Sequence, residues 1–287
     1  MKKFYLFLPL LALFSIAFKG ADKPAYTLFT INGKPTTYTK MLEEAKKADV
    51  VLFGEYHNNP ICHWLQYELT NDLYKAYGDK VVLGAEMFEA DNQRGLNRYL
   101  SGEIADTQLR RVVRLWPNYE TDYRPLVDFA KEHKLQFIAT NIPRKFASKV
   151  YMGGFAALEA LPDSSKQWIA PLPIAYDSTL QCYKEIFMNA GGHGGQNLPM
   201  SQAAKDATMA HFIYSNWAPG KHFIHYNGSY HSDRHQSIEW YLKKKNPALK
   251  VMVISTTTQD DISKLNKEDE GRGDVIICVP NTMTTTH

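Results

Sequence analysis

The chain has 287 residues, 44% of them hydrophobic and 22% charged, with a formal net charge of +3. That balance excludes a disordered or low-complexity polymer. Two of the positive charges are Lys2 and Lys3 and no long basic run follows, which speaks against nucleic acid as a partner, because phosphate binding needs clustered Lys and Arg.

In chain order, residues 1–17 read as a secretory signal peptide. Lys2 and Lys3 form the charged start, Phe4 to Ala17 is almost wholly apolar, and Ser15-Ile16-Ala17 places small residues for cleavage after Ala17. The apolar run is shorter than the roughly 20 residues of a spanning helix. The first cysteine is Cys62, too distant to carry a lipid. Residues 18–38 form a polar lead-in, with a short hairpin of Tyr26 to Ile31 turning at Asn32-Gly33.

Residues 39–287 read as a single α/β domain. Thr39 to Ala48 suits a helix capped by Thr39, and Asp49 to Gly54 is a short apolar strand. Pro60 to Tyr77 is a helix opened by its proline, and Lys80 to Phe88 repeats the strand pattern. This alternation predicts a mostly parallel central sheet flanked by helices. A smaller helical subdomain is expected from insertions near 91–123 and 143–218. Between them, Pro125 to His133 reads as a helix and Leu135 to Thr140 as a strand. Further strands are expected at Lys221 to Tyr226, Leu249 to Ser255 and Asp274 to Val279, with a helix from Asp233 to Lys244. Cys62, Cys182 and Cys278 are too few and too scattered for a disulfide framework or a zinc pattern, and read as buried thiols.

Ligands of open parallel sheets bind beyond the carboxyl ends of the strands. Polar residues gather there in four segments: Gly54-Glu55-Tyr56-His57, Glu86-Met87-Phe88-Glu89, Asn141-Ile142-Pro143-Arg144 and Tyr226-Asn227-Gly228-Ser229-Tyr230-His231. Glu55, His57, Glu86, Arg144 and His231 are thus placed on one rim. Glu86 follows an apolar run and needs a cation or hydrogen bonds if buried. Arg144 can serve it, or can bind a ligand carboxylate with its planar fork. Glu55, His57, Glu86 and His231 also suit a mixed site that holds a divalent metal or activates water, although no local zinc motif is present. A serine hydrolase is weaker still, since the chain lacks a G-x-S-x-G elbow.

Five segments in order carry a resemblance: Leu52-Phe-Gly-Glu-Tyr-His57, Leu83-Gly-Ala-Glu-Met-Phe-Glu89, Ala139-Thr-Asn-Ile-Pro-Arg144, Lys205-Asp-Ala-Thr-Met-Ala210 and His225-Tyr-Asn-Gly-Ser-Tyr-His231. From about residue 40 to about residue 255 the chain resembles the ChaN-like family of bacterial haem-binding, iron-regulated proteins. The resemblance implies haem (iron protoporphyrin) held near the junction of the α/β body and its helical part. It implies iron bound by a tyrosine with a histidine close by, and a homodimer around two stacked haems. Tyr176, Tyr183 and His193 are the local candidates for the iron, and Arg144 or Lys145 for the propionates. Phe88, Trp116, Tyr119, Tyr151, Met152 and Phe155 are available to the porphyrin faces. Iron and haem acquisition follows as the expected role, with outer-membrane haem-uptake components as partners. The periplasm is the expected compartment, membrane association or secretion being the other ends of export. Gly-Glu-x-His sequences also occur in hydrolases, so a metal-dependent hydrolase on Glu55, His57, Glu86 and His231, or removal of iron from the porphyrin, are the alternative expectations.

Overall fold

The structure is a computed structural model and describes residues 23–189, 195 and 197–287. Residues 1–17, read above as a signal peptide, and His193 lie outside the described residues.

The chain opens with a hairpin, β1 (Thr27–Thr30) and β2 (Pro35–Thr36), which turns at Gly33 with φ of 69°. This left-handed value favours glycine. Helix α1 (Tyr38–Lys47) is capped by Thr37, whose hydroxyl accepts from Lys40 N at 3.3 Å. The expected cap, Thr39, falls inside the helix. Strand β3 (Val50–Glu55) then leads into α2 (Pro60–Tyr77). Asn59 caps α2 by accepting from Ile61 N and Cys62 N, and Pro60 occupies the first turn. Strand β4 (Val81–Glu89) is followed by α3 (Gln93–Leu100), α4 (Asp106–Val112) and a π-helical turn at Tyr119–Tyr123. Next come α5 (Arg124–Glu132) and β5 (Gln136–Asn141). The stretch after β5 is mainly helical: α6 (Arg144–Gly153), α7 (Ala156–Glu159), α8 (Asp163–Lys166), α9 (Gln181–Asn189) and α10 (Asn197–Asn216). The chain ends through β6 (His222–Gly228), α11 (Ile238–Lys245), β7 (Val251–Gln259) and β8 (Val275–Pro280).

The eight strands form one sheet in the order β2-β1-β8-β7-β3-β6-β4-β5. From β8 to β5 all neighbours are parallel, and the β1–β2 hairpin adds antiparallel to β8. The fold is therefore α/β with a mostly parallel sheet, as its strand pattern predicts. Strands buried on both faces carry continuous apolar runs, and β3 is buried at every position. Its alternating side chains enter two cores. Val51 and Phe53 pack with Met41, Leu65, Leu69 and Phe129 from α1, α2 and α5. Val50 and Leu52 pack with Phe146, Ala207, Ile213 and Leu242 from α6, α10 and α11.

One helix starts later than its pattern suggests. Arg234, His235 and Ser237 take φ values of 60°, 58° and 52°. Such left-handed residues cannot continue a right-handed helix, so α11 begins at Ile238 rather than Asp233. The three cysteines are buried and unpaired. No described helix is long and apolar enough to cross a membrane.

The sheet separates where the polar residues collect. Pairing of β4 with β6 ends at Ala85–Tyr226, and pairing of β4 with β5 shifts register between Ala85 and Glu89. Beyond Ala85 the Glu86 carboxylate takes the place of the missing ladder partner, accepting from Gly228 N at 2.8 Å.

Candidate functional site

A cleft of about 720 Å³ opens over this separation. β3 and its loop supply His57, β4 supplies Glu86, and the end of β5 with the start of α6 supplies Asn141, Ile142 and Arg144. α10 adds Gln202 and Lys205, and the turn after β6 adds Gly228, Tyr230 and His231. Leu115, Trp116 and Pro117 come from the segment before the π-helical turn and form apolar wall.

Two hydrogen-bonded chains of ionisable groups support the cleft. In the first, His57 Nδ1 donates to Glu55 Oε1 at 2.9 Å. Glu55 is buried and also accepts from Tyr123 Oη at 2.7 Å and Gln66 Nε2 at 2.5 Å. Burial would raise the Glu55 carboxyl, but His57, His63 and Gln66 together hold it below its ordinary value. Burial likewise opposes charge on His57, yet Glu55 and Glu86 outweigh it and the ring is raised. Behind His57, its carbonyl accepts from Asn118 Nδ2 at 2.7 Å and contacts His63 Nε2 at 3.2 Å.

In the second chain, buried His231 bridges two buried carboxylates. Its Nε2 lies 3.1 Å from Glu86 Oε1 and its Nδ1 lies 2.5 Å from Asp206 Oδ1. Tyr183 Oη donates to the other Asp206 oxygen at 2.9 Å. Burial penalises the imidazolium, but Glu86 and Asp206 overcome this and push His231 up to about 9. Burial also acts against charged Glu86, and His231, His57 and Gly228 N reverse it, holding this carboxyl well below the usual range. On Asp206 burial wins and the carboxyl is raised.

Gly228 lets the two chains meet. A methyl group there would lie 2.8 Å from His57 Nε2 and 3.5 Å from Glu86 Oε2. The closeness of the two side chains thus depends on a residue with no Cβ.

A sequence profile of the family described as haem-binding uptake, Tiki superfamily, ChaN matches residues 41–242. The chain belongs to this family. The structure of Campylobacter jejuni ChaN with cofacially bound haem superposes with a TM-score of 0.67, at 18% identity over 88% of this chain and 96% of that one. A Bacillus cereus protein superposes at 0.50, with 10% identity over 84% of this chain and 90% of that one. An erythromycin esterase mutant in its open conformation gives 0.49, with 11% identity over 88% and 97%. These likenesses are of fold. No curated protein matches the chain in sequence.

On this ChaN-family framework the structure gathers His57, Glu86, Arg144 and His231 at the cleft, with Glu55 buried behind His57. It does not pair Arg144 with Glu86, whose partner is His231. Among the described residues Arg144 and Lys205 form no ion pair, whereas Arg114 is engaged by Glu89 and Asp91, and Lys145 lies 3.6 Å from Asp91. The two tyrosines expected at the iron, Tyr176 and Tyr183, do not line this cleft. Tyr183 is fully buried with its hydroxyl committed to Asp206, and burial raises the phenol strongly. Tyr176 packs between Phe155 and Tyr183, at ring distances of 5.6 and 5.4 Å, and does not line the cleft. Phe88 and Tyr119 belong to the core, Tyr151 and Met152 are exposed, and of the expected porphyrin contacts Trp116 lines the cleft.

Among the described residues no group of three or more His, Cys, Asp or Glu is arranged to hold a metal ion. In the two chains Glu55 is engaged by Tyr123, Gln66 and His57, and Glu86 by Gly228 and His231. His222, His225 and His235 are dispersed as well. His225 is buried between Thr140 and Asn227 and pushed down to about 4 by that burial, and His222 stacks on Tyr77.

Several site residues escaped the sequence reading. Asp206 lies within Lys205-Asp-Ala-Thr-Met-Ala210, but nothing in a helical pattern says that it faces a histidine 25 residues on. Tyr123 and Gln66 are equally remote from Glu55 in sequence. Tyr230 was visible as the neighbour of His231, and the structure leaves it 56% exposed on the cleft. A second groove, of about 790 Å³, runs along β5 and is lined by Lys131 and Lys134 with mostly apolar or amide side chains. It has no carboxylate or histidine and no comparable chemistry.

Proposed function

We propose that the chain binds haem in the cleft above β3, β4 and β6 and serves bacterial haem or iron uptake. The observation that carries this reading is a cleft of porphyrin-compatible size with an apolar wall and two cations, Arg144 and Lys205, that form no ion pair among the described residues. A planar amphiphile with carboxylates needs those features. Leu115, Trp116, Pro117 and Ile142 would contact the ring, and Arg144 and Lys205 the propionates. Tyr230 is the exposed phenol of this cleft and the candidate axial ligand. Haem, when bound, would supply an iron centre whose reactivity follows its axial ligand.

The test is an absorption titration of the purified protein with ferric haem. Saturable one-to-one binding is expected, with an altered spectrum in Tyr230→Phe and affinity about tenfold weaker in Arg144→Ala, as for loss of one charge-assisted contact. A wild-type protein showing no saturable change would overturn the reading. Pairing of two copies around two haems is part of the same proposal, with a haem-dependent doubling of mass in solution as its measurement. Export belongs to it too, on the pattern of residues 1–17. Sequencing the amino terminus of the periplasmic protein is expected to begin at Phe18, and recovery of the full-length chain in the cytoplasm alone would refute it.

A further inference from the structure

Strand β5 is the last strand of the sheet on its side, and its outer edge has no strand beside it among the described residues. Phe137 C=O and Ala139 N–H point away from β4, where the Gln93 carboxamide engages them at 2.9 and 2.6 Å. Strand alternation turns Phe137 N–H and Ala139 C=O the same way. A carboxamide carries the donor and acceptor of a peptide bond, so the Gln93 contact is a one-residue imitation of an added strand. It serves two of the four edge groups, while the groove of about 790 Å³ continues along the strand from Leu135 to Ala139.

The walls of the groove suit the rest of an extended segment. Side chains of an added strand alternate between the two faces of the sheet. On one face α3 offers Leu100, and on the other α10 offers Phe212, both partly buried against their cores. Asn97 and Ser101 are exposed along α3 and can serve the far edge of the added backbone. Lys131 and Lys134 stand beside the start of β5, form no ion pair among the described residues, and meet no carboxylate in the groove lining. Positive charge without a counter-charge calls for acidic side chains, and an open strand edge calls for an extended backbone.

We propose that the β5 edge is a docking site for an extended acidic segment of a partner protein, which adds to the sheet as a further strand and sets a carboxylate against Lys131 or Lys134. The incoming backbone takes over the two groups held by Gln93, whose side chain swings aside, and adds Phe137 N–H and Ala139 C=O. Main-chain pairing supplies the attraction, and the two apolar walls and the lysines supply the selectivity. The groove shares no lining residue with the cleft above β3, β4 and β6. Docking there is therefore independent of haem binding, and the two sites can be filled together.

The experiment selects a phage-displayed library of random heptapeptides on the haem-free, full-length protein, then titrates the enriched peptide, synthesised with blocked ends. Enriched sequences are expected to carry Asp or Glu beside β-branched residues and to lack Pro, which cannot pair in a ladder. Binding is expected to weaken about tenfold in Lys131→Glu/Lys134→Glu, as for reversal of two exposed charge contacts, and to weaken again when a peptide N–H is methylated. In 15N spectra the peptide is expected to move the Phe137 N–H and the Gln93 side-chain amide. Thermal melts establish that the variants are folded, and Lys134→Glu alone replaces the pair if the pair is not. Equal enrichment on wild type and the lysine variant, enrichment without acidic residues, no enrichment, or binding that leaves Phe137 unmoved overturns the proposal. So does a peptide-free dimer of the wild type in which Phe137 N–H is protected from exchange, because a second copy then covers the edge.

Discussion

His231 makes stability depend on pH in a direction opposite to the usual acid unfolding. The haem-free protein holds the ring at about 9, against an ordinary value of 6.5. A histidine raised on folding stabilises fully below its unfolded value, and that contribution is lost as pH climbs through the folded value. The difference is 9 minus 6.5, and at ~1.4 kcal/mol per unit it corresponds to about 3 kcal/mol. Urea unfolding at pH 6, 7.5, 9 and 10 is the assay. Wild-type stability is expected to decline by roughly that amount between pH 6.5 and pH 9.5, and His231→Gln to lose most of the slope. The variant is also expected to be about 3–5 kcal/mol less stable at neutral pH, because Glu86 and Asp206 stay buried without their cation. Should it fail to fold, the His231 ring in wild type can be titrated by NMR. A midpoint near 6.5, or a flat wild-type profile, refutes the reasoning.

Other changes probe single contacts. Gly228→Ala places a methyl 2.8 Å from His57 Nε2, and is expected to cost about 1–3 kcal/mol as overpacking, with a displaced His57 resonance in NMR as the check. Tyr123→Phe removes the 2.7 Å donation to buried Glu55; a loss of about 1–3 kcal/mol in chemical denaturation is expected. Gln93 clips the outer edge of β5, accepting from Ala139 N at 2.6 Å and donating to Phe137 O at 2.9 Å. Gln93→Ala should cost about 1–2 kcal/mol and raise concentration-dependent association by light scattering, because a bare strand edge recruits other strands. Asn59→Ala should lower the melting temperature through loss of about 1 kcal/mol of helix capping.

The sheet was legible in sequence because its strands are short apolar runs between helical periods, and each expected run from Val50 onward is a strand. The rim was legible for the same reason: residues at the carboxyl end of a strand, like Glu55 and Glu86, or just past it, like His231, can be placed at that edge without knowing any contact. Partners were not legible. Whether Glu86 meets Arg144 or His231 depends on where the β4–β6 ladder stops, and no periodicity records that. Tyr183 illustrates the same limit. Its helix could be anticipated, but only packing of α9 against α10 shows that its hydroxyl turns inward to Asp206. The late start of α11 depends on left-handed residues that are neither Gly nor Asn, so composition gives no warning.

Ending the β4–β6 ladder at Ala85 and Tyr226 has an architectural consequence. The mouth is cut into the backbone of the sheet, and rim side chains only furnish it. Its aperture is therefore inherited with the strand register, while the chemistry around it can be exchanged residue by residue. A scaffold of this kind can change what it holds without first having to invent somewhere to hold it.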